Sequence, residues 1–201
     1  MSTKTTRYNA SIVAASLLIN DSRKIAELIL QKPSKEEWSK ALLSENILQK
    51  RSPLTIKKQA KVIRNRLELM TIDYCELINK GSQNLIKQAL LAATVKQSHL
   101  LGDFIQQVVI RNHKSLKKVV TDIDWNRFML NCANVDPSIE NWAESTKKKI
   151  RQIIFKILEE AHYINSTKDK KITPVIIEPK LLAYLKQHKE IYVLKSIQFH
   201  N

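Results

Sequence analysis

Glycine is the residue that most restricts this chain. Only Gly81 and Gly102 occur in 201 residues, and neither a Walker A loop nor a dinucleotide-binding G-x-G-x-x-G can be assembled from two isolated glycines. With just five prolines, collagen-like, low-complexity and turn-rich all-β chains are poor fits, and long helices become the expected framework. The chain is 43% hydrophobic and 26% charged, which supplies apolar surface for a real core and argues against disorder. Its 34 Lys and Arg outnumber its 19 Asp and Glu, for a net charge of +15. Such an excess points to a polyanionic partner.

Cys75 and Cys132 have no second pair for a metal knuckle and read as reduced core thiols. Lys4 and Arg7 precede an apolar stretch from Ala10 to Ile19 that imitates a signal-peptide core. The stretch runs into Asn20-Asp21-Ser22-Arg23 without a small-residue cleavage site, and about ten apolar residues fall short of the roughly 20 that span a bilayer. It is expected to be a buried first helix in a cytoplasmic protein with no membrane contact.

Apolar spacing marks helices along most of the length: Ile12 to Ile19, then Ser22 to Gln31, stopped by Pro33. Ser34 with Glu37 forms a capping-box pattern ahead of Trp38, Ala41, Leu42 and Leu48. Ser52-Pro53 opens a helix with Ile56, Ala60, Ile63, Leu67 and Met70 on one stripe. Gln83 to Arg111 is expected to be the central packing element, with a break around Ser98 to Gly102. The texture changes after Arg111, so an N-terminal helical domain is placed at 1–112 and a C-terminal domain at 113–201. In the second part come a helix around Trp125 to Cys132, a short one from Asp136-Pro137 to Trp142, and a longer one from Ser145-Thr146 striped by Ile150, Ile153, Ile154, Ile157, Leu158 and Ala161. A polar tip, Asn165 to Lys171, a β-rich run, Ile172 to Ile177, and a second candidate strand, Ile191 to Leu194, follow. The expected fold is therefore mainly α, a helical bundle with helix-turn-helix elements and a C-terminal winged-helix domain carrying a small β-wing.

Between Lys50 and Leu67 stand seven basic residues and no acid: Lys50, Arg51, Lys57, Lys58, Lys61, Arg64 and Arg66. At about 100° per residue, Lys57, Lys61 and Arg64 share a face opposite Ile56, Ile63 and Leu67, with Lys58 on the adjoining arc and Ser52 and Thr55 at the helix start. A solvated face is the ordinary fate of a charge run. Without acids four residues away these cations repel one another by a few tenths of a kcal/mol per pair, a cost that a phosphate backbone removes. The arrangement recurs at a constant offset of 91, where Thr146, Lys148, Lys149, Ile153, Ile154 and Leu158 match Thr55, Lys57, Lys58, Val62, Ile63 and Leu67. Around the second helix, Ser145, Thr146, Lys147, Lys148, Arg151 and Gln152 are candidate contacts, and Gln152 carries the donor and acceptor pair needed for an adenine edge. Phe155 lies on the same outer arc or packs on another element. Lys168, Lys170 and Lys171 would form the wing.

The enzyme alternatives are weaker. Asp169 with Glu178-Pro179-Lys180 loosely imitates a magnesium-dependent nuclease, but Pro179 interrupts the strand that should present both groups. Asp122-x-Asp124 reads as a helix cap, and the histidines lack metal-ligand spacing. No catalytic residue, metal, cofactor or small-molecule substrate is indicated. RNA binding or a protein-scaffold role remains the competing reading, since a basic bundle serves either.

The stretch Ser44-Glu-Asn-Ile-Leu-Gln-Lys-Arg-Ser-Pro-Leu-Thr-Ile-Lys-Lys58, with Arg64-Asn-Arg-Leu67, resembles the BrxA family of BREX bacteriophage-defence systems. Leu101-Gly-Asp-Phe-Ile105, Asp124-Trp-Asn-Arg-Phe128, Trp142-Ala-Glu-Ser-Thr146 and Ile191-Tyr-Val-Leu194 continue the resemblance over most of the chain. It implies a largely helical, non-enzymatic protein with helix-turn-helix or winged-helix elements that binds double-stranded DNA beside other BREX proteins. It implies no individual contact residue.

Overall fold

The structure is a computed structural model and describes residues 7–199. Eleven α-helices are distinguished among these residues: α1 (Ile19–Leu30), α2 (Lys35–Ser39), α3 (Pro53–Leu67), α4 (Tyr74–Lys80), α5 (Gln83–Gln97), α6 (His99–Phe104), α7 (Arg111–Lys114), α8 (Asp122–Val135), α9 (Glu144–Glu160), α10 (Pro179–Gln187) and α11 (Ile191–Ile197). Their starts follow from local chemistry. The Ser34 hydroxyl accepts from the Glu37 N–H and the Glu37 carboxylate accepts from the Ser34 N–H, a capping box that opens α2. Thr121 and Asp124 do the same for α8, so Asp124 caps as its spacing suggested. Pro53 occupies the first turn of α3, where no amide donor is needed. Ser52 precedes it as the cap residue but donates and accepts no side-chain cap bond.

The expected long central helix divides in two. α5 is buried on nearly every side, from Leu85 and Ile86 to the unbroken run Gln88 to Val95, and it touches α1, α3, α4, α6, α10 and α11. It stops at Ser98, which adopts an extended conformation, and α6 begins at once. Gly102 is required by a close approach: a Cβ there would stand 2.5 Å from the Tyr192 hydroxyl of α11. α6 passes into a π-helical segment, Ile105–Ile110, and then α7. The N-terminal apolar stretch is not the continuous helix expected. A 3-10 turn, Ala10–Ala14, packs on α9, and a non-helical strap, residues 15–17, leads toward α1.

The C-terminal β elements are corrected. No sheet forms among the described residues; only two isolated antiparallel bridges occur, Val119 with Lys171 and Ile164 with Ile172. The run Ile172 to Ile177 pairs only through the single bridge of Ile172 with Ile164, and at its far end the buried Gln88 of α5 takes up the backbone groups. Gln88 donates to the Ile176 carbonyl at 2.9 Å and accepts from the Glu178 N–H at 2.8 Å. Ile191 to Leu194 is the start of α11, since Val193 and Ile197 are the buried pair, a spacing of four rather than two. β-branched residues misled there, because burial on one helix face outweighs strand propensity. The C-terminal region is thus helical, without a β-wing.

A single apolar cluster runs from Tyr8 to Ile197. Cys75 and Cys132 are buried within it, and burial pushes their thiols up to about 11 and about 12. No helix among the described residues is long and apolar enough to cross a membrane.

Candidate nucleic-acid interface

The α3 face follows directly from its apolar stripe. Ile56, Ala60, Ile63 and Leu67 are buried, which leaves Lys57, Lys58, Lys61 and Arg64 exposed together with Arg51, Ser52 and Thr55 ahead of them. No described carboxylate pairs with Arg51, Lys57, Lys58 or Lys61. The remaining cations of the run are engaged. Lys50 pairs with Asp21 at 3.0 Å, and Arg64 pairs with Glu68 while its guanidinium lies 4.6 Å from the Trp38 ring centroid.

Arg66, counted from sequence among the basic run, is a scaffold residue and is 3% exposed. It donates to the Ser16 carbonyl, to the Ala15 carbonyl at 2.6 Å and to Gln97 Oε1 at 2.9 Å. Burial lowers its guanidinium to about 10 against the opposing pull of Glu160. Glu160, at the end of α9, holds the same strap from the other side by accepting from the Ser16 hydroxyl at 3.0 Å and the Leu17 N–H at 2.8 Å. The strap therefore ties the last turn of α3 to the last turn of α9.

On α9, Ile150, Ile154, Ile157 and Leu158 are buried, and Ser145, Lys148, Lys149 and Gln152 are exposed. Thr146 is half-buried. Neither Lys148 nor Lys149 has a described carboxylate partner. Lys147 pairs with Glu144 at 2.9 Å. Arg151 pairs with Asp122, which also receives Lys170 at 3.1 Å, and Lys170 before Arg151 holds the Asp122 carboxyl below the usual carboxylate range. Phe155 resolves its ambiguity by packing inward. It is buried and lies 5.7 Å from Phe104 and 5.9 Å from Trp125, ring centre to ring centre. The Arg151 and Lys170 cations approach the same ring at 5.8 and 5.3 Å. Those two cations fasten the 165–171 turn to α8 and α9, while Lys168 and Lys171 remain exposed on it.

Sequence reading missed a buried hub. The Asp103 carboxylate accepts from Arg7 at 2.7 Å, from the Tyr8 hydroxyl at 2.7 Å and from the Tyr192 hydroxyl at 2.9 Å. The Asp136 carboxylate accepts the Tyr8 N–H at 3.0 Å. Burial, then the bond to Asp103, raises the Tyr8 phenol. Phe104 next door stacks edge-on with Trp125 and Phe128. The stretches around 101–105, 124–128 and 191–194 therefore meet at one place. Among the described residues no group of three or more His, Cys, Asp or Glu could hold a metal. Glu178 and Pro179 of the nuclease-like pattern sit at the start of α10.

Fold and faces together define a basic, mainly helical protein that presents, on two separate helices, lysines without a carboxylate partner among the described residues. The chain belongs to the BrxA family, whose model matches residues 6–189. A BREX protein BrxA of Paramagnetospirillum magneticum is 36% identical over 96% of both chains. Another, from Escherichia coli O9:H4, is 29% identical over 88% of this chain and 83% of its own. A crystal structure titled as an uncharacterized protein from Magnetospirillum magneticum superposes with a TM-score of 0.88 at 34% identity, covering 96% of this chain and 100% of that one.

Proposed function

We propose that this protein is a non-catalytic, double-stranded-DNA-binding component of a BREX-type phage-defence system, working beside other BREX proteins. The observation that carries this reading is the set of exposed lysines without carboxylate partners on α3 and α9, Lys57, Lys58, Lys61, Lys148 and Lys149. Exposed ammonium groups on a rigid helix suit phosphate oxygens, and each helix opens with a threonine that can join them at the positive helix end. In this reading the short 3-10 helix Pro137–Asn141, the turn after it and α9 act as a helix-turn-helix, and Arg51, Lys168 and Lys171 add backbone contacts. Family membership supports the BREX context through the names its relatives carry.

Six to ten phosphate contacts would cost about 10³–10⁵ in affinity between 50 and 200 mM salt. Fluorescence anisotropy with a labelled duplex across that range tests the reading, and a flat salt dependence overturns it. Competition at matched salt with structured RNA separates the two polyanions, because an RNA helix has the same phosphates on a different shape. With Mg²⁺ present the duplex is expected to remain intact.

A further inference from the structure

Between the π-helical segment and α8 lies a notch of about 250 Å³ that belongs to neither lysine face. Two helical stripes wall it. Gln107 and Arg111, four residues apart, stand on one side, and Arg127 and Asn131, four residues apart, on the other. Each wall thus offers an amide and a guanidinium, all four exposed. Val108 and Phe128, both buried, form the floor.

The charge in the notch is unbalanced. Arg111, Arg127 and Lys117 line it against one carboxylate, Asp124. Asp124 is already committed to Lys117 at 2.7 Å, to the Thr121 N–H at 2.7 Å, to the Thr121 hydroxyl at 2.8 Å and to Asn112 at 3.3 Å. Burial works against its charged form, yet Lys117 and Thr121 outweigh burial and hold the carboxyl down at about 2. Neither Arg111 nor Arg127 pairs with any described carboxylate. Three cations against one spent anion leave a surplus of two positive charges lining a concave surface. π-helical turns concentrate at functional sites, and this one ends directly before Arg111.

We propose that this notch is a phosphate-binding site, with Arg111 and Arg127 clamping the anion from opposite walls. A guanidinium fork matches two phosphate oxygens at once, and the surplus charge suits a phosphomonoester dianion or the monoanions of two neighbouring backbone phosphates. Gln107 and Asn131 amides supply neutral donors at the rim, and the apolar floor leaves the anion's attached group a place to lie. The phosphate comes either from a small phosphorylated ligand or from a nucleic-acid backbone. The site does not require the duplex reading of α3 and α9, because its residues are separate from theirs.

Titration calorimetry with inorganic phosphate and pyrophosphate, run beside duplex anisotropy at several salt concentrations, tests the assignment on the whole chain. Saturable pyrophosphate binding that weakens at least about tenfold in Arg111→Gln with Arg127→Gln supports a small-ligand site. A fall of about 1.8 in the salt slope of duplex binding, without free-anion binding, supports a backbone source. Asn131→Ala gives a milder loss by the same readout, and a thermal melt confirms folding of each variant. The proposal is overturned if neither anion binds and the duplex slope is unchanged, or if anion binding persists undiminished in the double variant. Loss of duplex binding in Lys57→Glu with Lys61→Glu but not in the arginine variant sinks the notch as a duplex contact and leaves the lysine faces standing.

Discussion

At an offset of 91, α3 and α9 share their threonine, paired lysines and apolar stripe, yet they differ at the positions between. Arg64 corresponds to Phe155 and Arg66 to Ile157. On α3 the first is exposed and lies against Trp38, and the second is a buried arginine spent on three acceptors. On α9 both positions are apolar core. The difference extends to the basic faces, for Lys57 and Lys61 face no acid, whereas Arg151 is claimed by Asp122 of α8. The periodic pattern sets which face is buried, and neighbouring elements then decide which cations are left for a ligand.

The comparison predicts opposite sensitivities at matched positions. Phe155→Ala should cost about 3–5 kcal/mol by emptying an aromatic cluster, while Arg64→Ala should cost less than about 1 kcal/mol, since an exposed cation over a ring and a surface ion pair contribute little. Urea unfolding of both proteins checks this, and equal losses break the distinction. Arg66→Ala should cost about 3 kcal/mol, because buried carbonyls of the strap lose their donors while Glu160 keeps its charge. If unfolding shows no loss, the strap does not join the two helices.

Affinity should divide as the pairings do. Lys57→Glu with Lys61→Glu should lower the salt slope by about 1.8, one phosphate for each lysine, but Lys148→Glu with Arg151→Glu by only about 0.9, as Arg151 is held by Asp122. Equal slopes would mean that Arg151 leaves Asp122 for phosphate. Gln152→Ala should change little at any sequence; a loss of about 1–3 kcal/mol at preferred sites would instead make Gln152 a base reader.

Acid separates the regions most gently. Asp122 and Asp124 have folded-state values below their ordinary ones, so their contribution is present above about pH 4 and is lost as pH falls further, for Asp124 toward about 2. The lysines of α3 touch no such group. Carboxyl titration by NMR checks it, and a midpoint near 4 for Asp124 contradicts the Lys117 and Thr121 contacts.

Much was legible because it is local. The capping box at Ser34, the cap at Asp124, Pro53 at a helix start and the spacing of Ile56, Ala60, Ile63 and Leu67 depend on residues within one or two turns, and a sequence displays those distances directly. The break at Ser98 and the exposed lysines of α3 and α9 follow from the same periodicity. The absent β-wing was not legible, since Ile172 to Ile177 reads as a strand although it pairs only at Ile172 and the buried Gln88, distant in sequence, takes the backbone groups at its far end. Arg66 looked like one cation among seven, and only the strap that passes over it makes it structural. The Arg111 and Arg127 notch joins two helices whose facing walls no single period connects. The starts of α2 and α3, the buried stripes of α3 and α9 and the surplus charge were determined by the sequence alone, because each is a property of neighbours along one chain. Which charges are neutralised, which aromatics turn inward and where two walls meet were decided by the tertiary structure, because those depend on contacts between residues distant in sequence, and burial sets their energies.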